Sequence, residues 1–225
     1  MGFGNMAANA ASEAAQKQIE LQQKLRGRNP EQQAVIKYFY GAGGCLSKGL
    51  SDEEYEEKVM KRIRGIDFKQ KGLTKLGLDE SQVQEIAPVH FEGFRFIDKA
   101  LEKPSDNFDR WLSSVYQITW LYFSDTQVYV YQYTFHMDTD EKKERTEEYF
   151  YKDITNFAAV NDSDERLIMA GKNCMGQPQW QRKTINYDQF SLVVPGERLD
   201  CSMLQNDYTS KAIQAMKAKL REKKM

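Results

Sequence analysis

The chain is poor in the residues that most enzymes and metal proteins use. It has two histidines, His90 and His136, and three cysteines, Cys45, Cys174 and Cys201. No two of these five share a metal-ligand spacing and there is no Cys-x-x-Cys pair, so a zinc site has no support. An odd set of widely spaced thiols is expected to stay reduced and structural. No charge sign dominates, with 32 Lys+Arg against 33 Asp+Glu and a net charge of -1. That balance disfavours a dedicated nucleic-acid binder. No apolar run approaches the ~20 residues of a membrane span, and the Ala/Gln-rich first thirty residues lack the apolar stretch of a signal peptide. Gly43-Gly44-Cys45 lies too deep, behind a charged helix-like stretch, for a lipoprotein site. The expected localisation is cytoplasmic. Phosphate-binding glycine loops, dinucleotide fingerprints and nucleophile elbows are missing as well. Asp138-x-Asp140 starts like a calcium loop, but Lys142 stands at the fifth position and no glycine at the sixth. No catalytic residue, metal ligand or cofactor is assigned.

What is present divides the 225 residues into three regions. Residues 1–44 form a helical arm. Ala15, Ile19, Gln22 and Leu25 share a thin stripe that Gly27 ends. Asn29-Pro30 then opens a second helix carrying Val35, Ile36, Phe39 and Tyr40. Residues 45–90 form a small helical region. Ser51-Asp-Glu-Glu54 is a capping box, Tyr55, Val59 and Ile63 recur at helical spacing, and Gly65 stops the helix. A further short helix is expected from Asp79 to about Ala87, ended by Pro88.

Residues 91–225 change period. Strands are expected over residues 91–97, 114–123, 127–136, 147–157, 165–170, 180–185, 190–194 and 198–203. A turn at Ser124-Asp125-Thr126 makes a hairpin of the second and third, and a charged loop over residues 138–145 follows. Fourteen of the 27 aromatic residues lie between Phe108 and Phe157, which places the main core there. A last helix, capped by Asn206 or Asp207, aligns Tyr208, Ala212, Met216 and Leu220 beside Ile213. Lys211, Lys217, Lys219, Arg221, Lys223 and Lys224 occupy its other faces and tail. The fold class is therefore α+β: N-terminal helical segments, then an antiparallel β domain closed by a C-terminal helix.

Two stretches resemble known families. Tyr116-Gln-Ile-Thr-Trp-Leu-Tyr-Phe123, Val128-Tyr-Val-Tyr131 and Glu148-Tyr-Phe-Tyr-Lys-Asp-Ile-Thr155 are similar to the bacterial pleckstrin-homology-like (PH-like) family, in which a hairpin leads to a strand ending Tyr-x-Asp-Ile-Thr. The resemblance covers about residues 108–222. It implies an antiparallel β-sandwich or partly open barrel capped by a C-terminal helix, with Ile154 pointing inward. More weakly, Gly49-Leu-Ser-Asp-Glu-Glu-Tyr-Glu-Glu-Lys58 resembles the start of a SHOCT-type helical module, about residues 47–64.

The PH-like resemblance implies a binding scaffold, not an enzyme. Fold alone does not name the ligand. In eukaryotic relatives, clustered cations near the first hairpin recognise phosphoinositides. Here Lys142, Lys143 and Arg145 are interleaved with Asp138, Asp140, Glu141, Glu144 and Glu147, which departs from that pattern. The expectation is a non-catalytic binding or adaptor protein whose partner is a protein, a peptide or a second copy of itself. Lys142, Lys143, Arg145, Lys217, Lys219 and Arg221 are its candidate contacts. The alternatives are peripheral binding to an anionic membrane through the basic helix and an enzyme of unrecognised type.

Overall fold

A computed structural model describes residues 16, 18–41, 49–107, 110–172, 178–204 and 206–225. Ala15, Gly43-Gly44-Cys45, Phe108 and Cys174 lie outside the described residues. Helix α1 covers residues 18–25. It is followed by α2 (Pro30–Phe39), α3 (Asp52–Ile63), α4 (Phe68–Leu76) and a 3-10 turn (Glu80–Gln82). The strands are β1 (Ile86–Phe94), β2 (Glu102–Pro104), β3 (Trp111–Ser113), β4 (Val115–Phe123), β5 (Gln127–His136), β6 (Lys142–Phe150), β7 (Asn156–Lys172), β8 (Pro178–Val194) and β9 (Glu197–Met203), before α5 (Asp207–Lys224).

Among the described residues all sheets are antiparallel, in the orders β1-β4-β5-β6, β2-β3 and β7-β8-β9, and none closes into a barrel. The fold is α+β with a C-terminal helix. Alternation along β4 and β5 gives the first sheet two apolar faces. Leu121, Phe123, Val128 and Val130 face the second sheet. There they join Phe157, Phe190, Leu192, Leu199 and Ala212, Ile213, Met216 and Leu220 of α5 in one core. Tyr116, Ile118, Tyr122, Tyr131 and Phe135 face the other way and pack on Val35 and Tyr38 of α2, Tyr55 and Val59 of α3, and Phe68 and Leu73 of α4. The aromatic-rich hairpin thus supplies two cores, and most of its tyrosines serve the helical layer, not the β-sandwich.

A polar seam joins the two sheets at one corner. Gln117 Oε1 accepts from the Ser202 amide at 3.0 Å, and Gln132 Nε2 donates to Asp200 O at 3.1 Å. Both glutamines are buried, so these bonds complete groups that water does not reach. Cys201 beside them is buried as well, and burial pushes its thiol up to about 12.

Several expected elements take a different form. The helix expected over residues 79–87 is only the 3-10 turn, and β1 begins at Ile86. Pro88 sits inside β1, at a register shift between Ile86 and Val89. Proline, which has no N–H, is tolerated there because β1 is an edge strand. Helix α4 has no counterpart among the expected elements: Asp67 caps it, Gly77 ends it with φ +69°, and Gly72 at its middle masks its period. The segment expected as one strand over residues 147–157 breaks at residues 151–155. Ile154 is fully buried there, and the Thr155 amide bonds Val193 O at 2.7 Å. The stretches at 165–170, 180–185 and 190–194 belong to the two 17-residue strands β7 and β8. Tyr208 is 46% exposed; Thr209 takes its place on the buried face of α5.

Candidate functional site

Helix α3 is fixed at three points. At its start, Ser51 Oγ accepts from the Glu54 amide and Glu54 Oε2 accepts from the Ser51 amide, at 3.2 and 2.9 Å. The adjacent Asp52 carboxylate is buried and takes hydrogen bonds from Tyr38 Oη (2.5 Å), the Asp106 amide (2.5 Å) and Lys103 Nζ (3.1 Å). At mid-helix, Tyr55 Oη donates to Ser113 O at 2.6 Å. At its end, Arg62 Nη1 donates to His136 O and lies 3.8 Å from Met137 Sδ, with the guanidinium carbon 5.7 Å from the centre of the Phe135 ring.

That geometry opens a cleft of about 340 Å³ between α3 and the β5–β6 turn, lined by Arg62, Tyr133, Phe135, Asp140, Glu141 and Lys142. Two of the six, Tyr133 and Phe135, are aromatic. Asp140 is held by Gln32 Nε2 at 2.8 Å. Arg62 and Lys142 make no ion pair among the described residues. Asp138, buried in the same turn, leaves Oδ1 without a hydrogen bond among the described residues, 3.9 Å from His136 Nδ1. On the neighbouring face Lys71 bonds Glu144 at 2.6 Å and covers the Tyr133 ring at 4.8 Å, and Lys75 joins the same carboxylate at 3.2 Å. Lys71 first, then Lys75, holds Glu144 below its ordinary value against a smaller opposing effect of burial.

The candidate contacts of the sequence do not form one patch. Lys142, Lys143 and Arg145 stand on β6, not in a loop, paired with Phe135, Thr134 and Gln132. The turn ends at Glu141 and β6 begins at Lys142, so the second half of the expected loop is an edge strand, where charged side chains are favourable. Lys142 lines the cleft and Lys143 is exposed. Arg145 is taken by Glu197 (3.0 Å) and Glu147. Lys219 bonds Glu85 (2.6 Å) and Glu222 (3.1 Å), which raise its pKa to about 12. Lys217 is half-buried and Arg221 exposed. The end of α5 meets the β4–β5 turn, where Lys223 pairs with Asp125. The cleft lies at the opposite end of the β5–β6 hairpin, about 26 Å away at strand rise.

Arg62, Tyr133, Phe135, Asp140 and Glu141 were not legible as site residues. Arg62 reads as a cation matching the helix dipole, and 74 residues separate it from His136. No local pattern announces that contact. Among the described residues no cluster of three or more His, Cys, Asp or Glu could hold a metal ion, and no helix is long and apolar enough to cross a membrane. Comparison with protein-family models, with curated proteins and with solved structures finds no match.

Proposed function

We propose that the chain is a non-catalytic binding module of PH-like topology that takes a peptide or protein segment in the cleft between α3 and the β5–β6 turn. The order of its parts supports the PH-like reading: a sheet of β1, β4, β5 and β6, then a sheet of β7, β8 and β9, then α5. The β2–β3 hairpin and the helical layer are additions to that plan. One observation carries the ligand class. Two cations without ion-pair partners among the described residues share a cleft with two aromatic rings and two carboxylates. A pinned guanidinium favours a carboxylate, which it can meet with its remaining donors. Asp140 and Glu141 repel a polyanion, so a phosphoinositide headgroup or nucleic acid is a poor fit. A peptide carrying one acid beside an apolar or aromatic residue suits all six side chains.

The membrane alternative is weaker, because Lys219 and Lys223 are committed to Glu85, Glu222 and Asp125. The test is selection of displayed peptides on the full-length chain, followed by affinity measurement. Enriched peptides are expected to pair an acid with an aromatic residue, and Arg62→Ala is expected to weaken them about tenfold or more, about 1.4 kcal/mol. Peptides indifferent to both Arg62→Ala and Lys142→Glu would remove the cleft from consideration.

A further inference from the structure

We infer that the outer edge of β7, over residues 162–172, docks antiparallel on the same edge of a second copy of this chain. The geometry of the second sheet carries this. Strands β7 and β8 pair from Asn156↔Val193 to Lys172↔Pro178, but β9 accompanies β8 only as far as Asp188↔Met203. From Asp162↔Tyr187 onward the sheet is a ribbon two strands wide, about 33 Å long at strand rise. Ser163, Glu165, Arg182 and Thr184 on it are exposed. A two-stranded ribbon is marginal in water, and β7 lies at the edge of its sheet among the described residues. Its outer row of backbone donors and acceptors is a template for another strand.

The sequence of each edge selects the occupant. The outer part of β8 begins with Pro178, which has no N–H to offer, and carries Arg182-Lys183 at its middle. Two-fold pairing of β8 with itself would set like charges together. The outer part of β7 runs from acids (Asp162, Asp164, Glu165) through Leu167-Ile168-Met169-Ala170 to Lys172. An antiparallel two-fold register centred on Leu167 or Ile168 sets an apolar position against itself at the axis. It also sets Asp162 or Asp164 opposite Lys172 of the other copy. Registers centred on Glu165 or Arg166 oppose like charges and are disfavoured. Two-fold closure consumes the β7 edge of both copies, so association stops at two. The bulge between Met169 and Gly171 shortens the regular ladder and weakens the dimer.

Sedimentation equilibrium of the full-length chain from about 1 to about 100 µM tests this. The expected result is a monomer–dimer equilibrium that Ile168→Lys weakens at least tenfold, because both registers then oppose cations, and that Thr184→Lys on β8 leaves unchanged. Near-ultraviolet circular dichroism of both variants is expected to match the parent, which separates loss of association from loss of packing. A monomer throughout the range overturns the inference, whether or not that monomer pellets with anionic vesicles. So does a dimer indifferent to Ile168→Lys, or one that Thr184→Lys dissolves instead. None of these results bears on peptide capture by the cleft.

Discussion

Asp52 is the residue on which the helical layer turns. It is the first residue of α3, yet its carboxylate faces inward to Tyr38 of α2, Lys103 of β2 and the Asp106 amide. Lys103 also lies 4.1 Å over the Tyr38 ring. Burial alone would raise the pKa of Asp52, but the three hydrogen bonds outweigh it and leave it below its ordinary 3.8. The same carboxylate, after burial itself, pushes the Tyr38 phenol well above its usual range. Since the folded pKa is the lower one, the unfolded chain binds the proton first. The stabilisation from Asp52 is therefore complete above pH 3.8 and is lost as pH falls through the folded value. Asp52→Ala is expected to cost about 2–4 kcal/mol in urea denaturation at neutral pH, because it removes the acceptor of the Tyr38 hydroxyl and the Asp106 amide and leaves Lys103 with Asp106 alone. Asp52→Asn is expected to flatten the acid limb of the stability profile below pH 3.8. A limb of unchanged steepness would assign acid sensitivity to other carboxylates.

At the scale of elements, the caps and most of the apolar faces of α2, α3 and α5 were legible, and α4 was not. Asn29 with Gln32, Ser51 with Glu54 and Asn206 with Thr209 cap α2, α3 and α5, and capping depends on residues three apart. Helix α4 escaped because its central Gly72 looks like a break. The structure gives that glycine a packing reason instead. A Cβ there would collide with Tyr122 Oη and lie 3.0 Å from Tyr122 Cζ and 3.1 Å from Tyr131 Cβ. The same Tyr122 hydroxyl donates to Lys69 O at 2.7 Å, tying α4 to β4. Gly→Ala in an exposed helix gains about 1 kcal/mol. Gly72→Ala is expected to lose about 2 kcal/mol, and to lose less in a Tyr122→Phe background, where the colliding oxygen is gone. Thermal denaturation of the four proteins of that cycle measures the coupling; additivity would mean that α4 shifts freely on the sheet. In α5, Met216→Ala removes a fully buried side chain from the sandwich core and is expected to cost about 2–5 kcal/mol by the same measurement.

At the scale of the whole molecule, the first sheet is the shared wall of two cores. The aromatic side of the β4–β5 hairpin cannot be left bare, since Tyr116, Ile118, Tyr122, Tyr131 and Phe135 would then face water as one patch. A chain starting at Glu85 is expected to be produced largely as aggregate, or to bind a hydrophobic dye strongly, whereas the full-length chain does neither. A monodisperse fragment with the parent's melting temperature would show that the helical layer is dispensable to the β domain.

Local chemistry was enough to read the α+β class, the register-bearing alternation of β4 and β5, the helix caps and the closing helix, because each depends on residues within a turn or a strand of one another. Alternation also showed that β5 has two apolar faces. It could not show which face meets the second sheet and which meets α2, α3 and α4, because that choice is made by residues up to 100 positions away. The cleft has the same origin: Arg62 from α3, Tyr133 and Phe135 from β5, and the acids of the turn meet only when the helical layer closes on the sheet. Sequence position alone makes all six candidate cations look equally available. Tertiary structure gave Arg145 and Lys219 to acids in other elements, left Lys142 facing the cleft, and set the two groups at opposite ends of one hairpin. Charge is a property of residues, but the availability of a charge depends on what the fold places within a few ångströms of it.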